Sequence, residues 1–188
     1  MASMTSVIIV PGLHDSGAQH WQSHWQRQLP HAVRIEQTRW DVPDLELWTR
    51  SVVDSVRRQG PSWLIAHSFG CLASINALAR LPAAQVRGLF LVAPADPAKF
   101  NIAAVLPQTA LPVPALLVGS RNDPWLSWSR AEQWAQRWQI PLVSAGSAGH
   151  INAESGHGAW REGWYLLQQF CEQHQRPQRH RYYLPIAV

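Results

Sequence analysis

The chain has 188 residues, enough for one domain with a sizeable core and too few for a second of ordinary size. Its net charge of +4 is unevenly placed: Arg176, Arg179 and Arg181 sit in a tail without acids, so the body is nearly neutral and presents no nucleic-acid surface. Two cysteines, Cys71 and Cys171, make neither a disulfide framework nor a metal spacing, and the apolar run at 7–10 is too short for a signal sequence or membrane span. The expectation is therefore one cytoplasmic domain over 1–174 with a basic tail at 175–188, needing no cofactor or metal.

Val7 to Val10 reads as a buried parallel strand, since all four residues are apolar and β-branched. It runs into the turn Pro11-Gly12-Leu13-His14. Ser16 and Gln19 then form a capping-box pair for a helix to about Leu29, with Trp21 and Trp25 on one face. Val33 to Gln37 is a weaker strand, and Asp44 caps a helix carrying Leu45, Trp48, Val52 and Val56. Later strands fall at 62–67, 89–92, 115–119 and 142–143. Residues 97–114, with prolines at 97, 107, 112 and 114, read as an irregular connection. Ser129 and Glu132 suggest a second capping box, for a helix burying Ala131, Trp134, Ala135 and Trp138. A last helix carries Trp160, Trp164, Leu167 and Cys171. Alternating strands and helices predict a doubly wound, mostly parallel α/β sheet of about six strands with helices on both faces. Most of the eleven tryptophans fall at helical core spacing and read as packing.

One stretch organises the rest. Ser62 to His67 is an apolar strand that breaks at Ala66-His67-Ser68-Phe69-Gly70, and Leu72, Ile75 and Leu78 begin a helix at once. Strand, sharp turn and helix turn a small-x-Ser-x-Gly string into a nucleophile elbow, where the serine hydroxyl stands clear at the carboxyl end of the sheet. Ala66 replaces the usual first glycine. In an open α/β sheet active groups gather at the carboxyl ends of strands. Ser68, Asp123 and His150 fall at three such ends, in the chain order Ser, acid, His of the α/β-hydrolase triad. A hydroxyl needs a base to take its proton, and the base needs a carboxylate to fix its tautomer.

Each role has a rival. Asp96 also follows a strand, but Asn122-Asp123-Pro124 makes the tighter turn to aim a carboxylate back over the sheet. His67 abuts the nucleophile and should point away from it as a packed, hydrogen-bonded residue. His14 lies beside the expected oxyanion loop, in a place to line the pocket, and His157 reads as a surface or capping residue. The oxyanion hole is expected from the backbone N–H groups of Leu13 and Phe69, the latter at a helix N-terminus. Trp125, Phe100 and Leu106 complete an expected apolar wall with His14.

The motifs together resemble the small serine hydrolase family of YdeN-type proteins and retinoblastoma-binding protein 9, over most of residues 7–170. The likeness rests on Pro11-Gly12 with Ser16 and His20-Trp21, Trp40-Asp41-x-Pro43, Ala66 to Gly70, Ser120-x-Asn122-Asp123-Pro124, and Gly149 to Ala153 with Gly156. It implies a compact, essentially capless α/β-hydrolase with Ser68, Asp123 and His150 as triad and esterase-type activity. The Leu-x-Cys-x-Glu string tied to retinoblastoma binding is missing around both cysteines, so that partner is not implied. The expected activity is hydrolysis of a small acyl ester. Thioesterase, amidase or acyltransferase chemistry on the same triad, and binding without catalysis on a hydrolase scaffold, are the alternatives. The sequence specifies no oligomeric state.

Overall fold

The computed structural model describes residues 6–175, so the arginines of the expected tail lie outside the described residues. Six strands form one sheet: β1 (Val7–Val10), β2 (Ala32–Arg34), β3 (Ser62–His67), β4 (Val86–Val92), β5 (Ala115–Gly119) and β6 (Leu142–Ser144). Their order is β2-β1-β3-β4-β5-β6, and every neighbouring pair is parallel. Among the described residues five α-helices accompany them: α1 (Trp21–Gln28), α2 (Leu45–Gln59), α3 (Phe69–Ala77) and α4 (Trp128–Trp138) between strands, and α5 (Arg161–Gln175) after the last.

A parallel sheet has to be covered on both faces, and the strand period of two divides its residues between two cores. Ile8, Val10, Leu64, Leu91 and Leu117 pack with Trp48 of α2, Leu72 of α3 and Trp134 of α4. Val7, Ile9, Ile65, Phe90 and Val118 pack with Trp21 and Trp25 of α1 and Leu167 and Phe170 of α5. Tryptophan packing is concentrated where α1 meets α5: Trp160 stacks on Trp25 at 5.5 Å, and Trp21 and Trp164 meet the pair edge-on. The strand order reverses between β1 and β3, the place where an open α/β sheet splays its connections and leaves a crevice.

Several boundaries differ from the sequence expectation. The first helix begins at Trp21, and its N-cap is His20, whose Nδ1 accepts the Gln22 N–H. Ser16 does not cap it, because its hydroxyl donates to the buried Gln22 side chain, which in turn bonds Val10 O and Ile65 O. Helix α4 starts earlier than a Ser129 cap allows, directly after Ser127. Glu132 is drawn instead to the Trp128 indole N–H. The second strand ends at Arg34, and Trp160 precedes its helix with a φ of 37°. The connection at 97–114 opens with a 3-10 turn (Pro97–Phe100) and is then pinned to α4: Trp138 Nε1–H donates to Pro107 O and Leu111 N–H to Trp138 O.

Candidate active site

Ser68 lies between β3 and α3 with φ 53° and ψ −124°, a positive-φ conformation that is costly for a residue with a side chain. The surroundings hold it there. A Cβ on Gly70 would meet Pro11 O at 2.2 Å, and one on Gly12 would meet the Ser68 Cβ at 2.7 Å and its Oγ at 3.3 Å. The loop after β1 therefore runs directly over the serine, and only glycine fits at either contact. The methyl of Ala66, fully buried, is accommodated. Among the described residues the N–H groups of Leu13, Phe69 and Gly70 have no protein acceptor, while His14 and Cys71 donate to Trp40 O and Ser68 O. The loop itself is fixed by Arg34, whose guanidinium bonds Asp15, Ser16 O and the Ser23 hydroxyl.

From Ser68 a continuous hydrogen-bond chain crosses to the end of β5. The Ser68 hydroxyl donates to His150 Nε2 at 2.9 Å, and His150 Nδ1–H donates to Asp123 Oδ1 and Oδ2 at 2.9 and 3.0 Å. A carboxylate only accepts, so the Nδ1 proton and the free Nε2 lone pair follow from the partners. The Asp123 side chain is 2% exposed and also accepts the Trp125 N–H. Ser120 and Asn122 tie this turn to the one carrying His150, accepting the N–H groups of Ala148 and Gly149. In the sequence those two supporting side chains stand out only as part of a motif, since nothing in their spacing shows that they reach across to another strand end.

The rival residues have other partners. Asp96 caps the 3-10 turn through Ala98 N–H and pairs with Arg130 through both oxygens. Burial alone would raise its carboxyl, but Arg130 and the Ala98 N–H hold it below its ordinary value. His157 closes a turn with Asn152 and Ser155. His67 is buried, with Nε2 2.9 Å from His150 O, and burial lowers its pKa well below the usual imidazole value. His20, packed edge-on against it at 4.8 Å, is pushed down to about 3 by burial, with Arg34 and His150 adding to it. Cys71 is fully buried and its thiol is raised well above the ordinary value by that burial, which makes it an inert packing group.

A cleft of about 330 Å³ opens over Ser68 and His150, walled by Leu13, His14, His20, Phe100, Trp125 and Asn152 among others. Leu106 does not reach it. The expectation that Leu106 lines the wall is corrected: it is 2% exposed in the core under α4, because pinning the 97–114 connection to Trp138 turns it inward. A larger groove of about 790 Å³ lies beside β6 and α5, and its described residues form no comparable hydroxyl, imidazole and carboxylate chain. No group of three or more His, Cys, Asp or Glu side chains is spaced to hold a metal ion among the described residues.

Sheet order, crevice and elbow geometry define an α/β hydrolase. A family model described as serine hydrolase matches residues 7–169, and the chain belongs to that family. A YdeN-like protein of Pectobacterium atrosepticum, assigned as a hydrolase, is 43% identical over 90% of this chain and 91% of its own, with a TM-score of 0.85. The YdeN gene product of Bacillus subtilis is 19% identical over 89% and 98% of the two chains, with a TM-score of 0.74. An esterase domain of a Rhodothermus marinus protein is 17% identical over 90% and 87%, with a TM-score of 0.69. At those last two identities the likeness is one of fold. A search of curated proteins found no significant match. No helix among the described residues is long and apolar enough to cross a membrane.

Proposed function

We propose that this serine hydrolase cleaves small or short-acyl esters through a covalent acyl-enzyme, with Ser68 as nucleophile, His150 as general base and Asp123 as its orienting acid. The observation that carries the reading is the unbroken chain from Ser68 Oγ through both His150 nitrogens to Asp123, starting on a serine of positive φ. His150 Nε2 takes the Ser68 proton as Oγ attacks the acyl carbonyl, and buried Asp123 stabilises the imidazolium that forms. The unengaged N–H groups of Leu13 and Phe69 flank the serine and receive the oxyanion. Protonated His150 then gives its proton to the departing alkoxide. A water deprotonated by the same nitrogen attacks the acyl carbon and releases the acid and free Ser68.

The cleft supports that substrate class. Its volume suits a small molecule, and Leu13, Phe100 and Trp125 offer apolar contact. Labelling with a fluorophosphonate, followed by mass spectrometry of the modified peptide, tests the assignment. The label is expected on Ser68, and Ser68→Ala is expected to lose both labelling and p-nitrophenyl butyrate hydrolysis while keeping its fold. Labelling of the Ser68→Ala protein at the parent rate would falsify the reading.

A further inference from the structure

His150 is carried on a long irregular segment: β6 ends at Ser144 and α5 does not begin until Arg161. A base on such a segment has to be fixed from outside it, because a misplacement of about 1 Å can cost on the order of 10²-fold in rate. The peptides before His150 are held by Ser120 and Asn122, and the one after it by Trp21, whose indole N–H donates to Ile151 O at 2.8 Å. Among the described residues the carbonyl of His150 itself is held by one side chain, that of His67. A carbonyl only accepts, so His67 carries its proton on Nε2 and leaves Nδ1 bare. The two imidazoles also pack at a tilt, with centroids 4.8 Å apart.

We propose that His67 is a positioning residue for the reaction: its Nε2–H, bonded to His150 O, fixes the main chain from which the catalytic imidazole reaches Ser68. The inference rests on the reading of Ser68 and His150 given above. It assigns two tasks to adjacent residues of one turn, with position 68 offering the nucleophile and position 67 reaching behind it to anchor the base. Packing also keeps the donor in place. His20, at the start of α1, and Trp21 both meet the His67 ring edge-on. Burial keeps the His67 ring neutral, so it adds no positive charge beside an imidazolium.

The test compares two substitutions. His67→Phe keeps a ring and removes the donor; kcat for p-nitrophenyl butyrate is expected to fall on the order of 10–100-fold, with KM within about threefold. His67→Gln carries an amide N–H near the position of Nε2 and is expected to recover most of that loss, which a purely space-filling role would not produce. A His67→Phe enzyme with parental kcat, or a folded His67→Gln enzyme no faster than His67→Phe, overturns the proposal. Should His67→Phe fail to fold, nitrogen-15 NMR of the wild-type imidazoles decides: a neutral ring protonated at Nε2 supports it, and one protonated at Nδ1 overturns it. The two readings fail separately. Absence of label on wild-type Ser68 removes both, whereas a labelled wild type with a fully active His67→Phe variant removes the positioning role alone.

Discussion

Two neighbouring strands end in the same way and do different things. An aspartate follows the last residue of β4 by four positions, and another follows the last residue of β5 by four: Asp96 after Val92, Asp123 after Gly119. Asp96 is consumed by a permanent cation, since Arg130 takes both oxygens and the Ala98 N–H shares one. Among the described residues no arginine pairs with Asp123; both its oxygens face the His150 ring. A guanidinium never gives up its proton, so the pair at Asp96 is a fixed clasp between a 3-10 turn and α4. An imidazole can gain and lose a proton, so the same carboxylate chemistry at Asp123 can stabilise a charge that comes and goes. Place at a strand end is common to both residues, and the cation opposite separates them.

The largest expected effect breaks this contrast directly. Asp123→Asn should lower kcat by on the order of 10⁴ with little change in KM, because the base loses its tautomer and its counter-charge. Asp96→Asn should stay within about tenfold of the parent, since its loss loosens a partly exposed ion pair of modest worth. Steady-state kinetics on a small ester decides, and an inactive Asp96→Asn beside an active Asp123→Asn would move the acid to β4.

A smaller effect is expected on the oxyanion side. Gly12→Ala puts a methyl 2.7 Å from the Ser68 Cβ, so the loop must lift and carry the Leu13 N–H with it. Losing one such donor costs on the order of 10²–10³ in kcat. A Gly12→Ala protein with parental kcat would show that Leu13 takes no part.

The smallest effect concerns stability rather than rate, and it extends the contrast to titration. His20 and His67 have folded-state pKa values below the ordinary 6.5, so below that pH the unfolded chain binds more protons than the folded one. Their contribution is full above about pH 6.5 and is lost as the pH falls, by up to about 1.4 kcal/mol per pH unit for each group. The Asp96–Arg130 pair behaves otherwise. With its carboxyl held low, its contribution is kept until the pH falls through the ordinary aspartate range. Urea midpoints should therefore drop between pH 7 and 5, and His67→Gln should flatten the slope. A midpoint unchanged over that interval would show that these imidazoles are as free to charge in the folded protein as outside it.

Much of this was legible in the residues. The β-branched run at 7–10 and the short apolar runs after it marked the buried strands, and the switch from strand to helix around Ser68 marked the turn that the structure shows at φ 53°. The juxtaposition of Ser68, Asp123 and His150 could be expected from their order at strand ends. Capping was less legible, because local spacing competes with distant partners: Ser16 is taken by Gln22 and Glu132 by Trp128. Leu106 was misplaced for a related reason, as an apolar residue in a connection can face the cleft or the core and only the tether to Trp138 settles which. The bond from His67 to His150 O spans 83 positions and involves a main-chain atom, so no residue type at position 150 could have announced it.

The strand order has a consequence for synthesis. Beyond β3 the sheet grows in one direction and in chain order, each new strand joining the outer edge left by the last. Ser68 is therefore in place three strands before the sheet is complete, and His150 follows it by 82 positions. On a ribosome adding about 5–20 residues per second, that separation is about 4–16 s. Throughout that interval the nascent chain carries Ser68 as an ordinary alcohol, with no base to draw its proton. Under the proposed assignment the order of the strands works as a timer: the Ser68 hydroxyl meets its base only once the far edge of the sheet has been laid down.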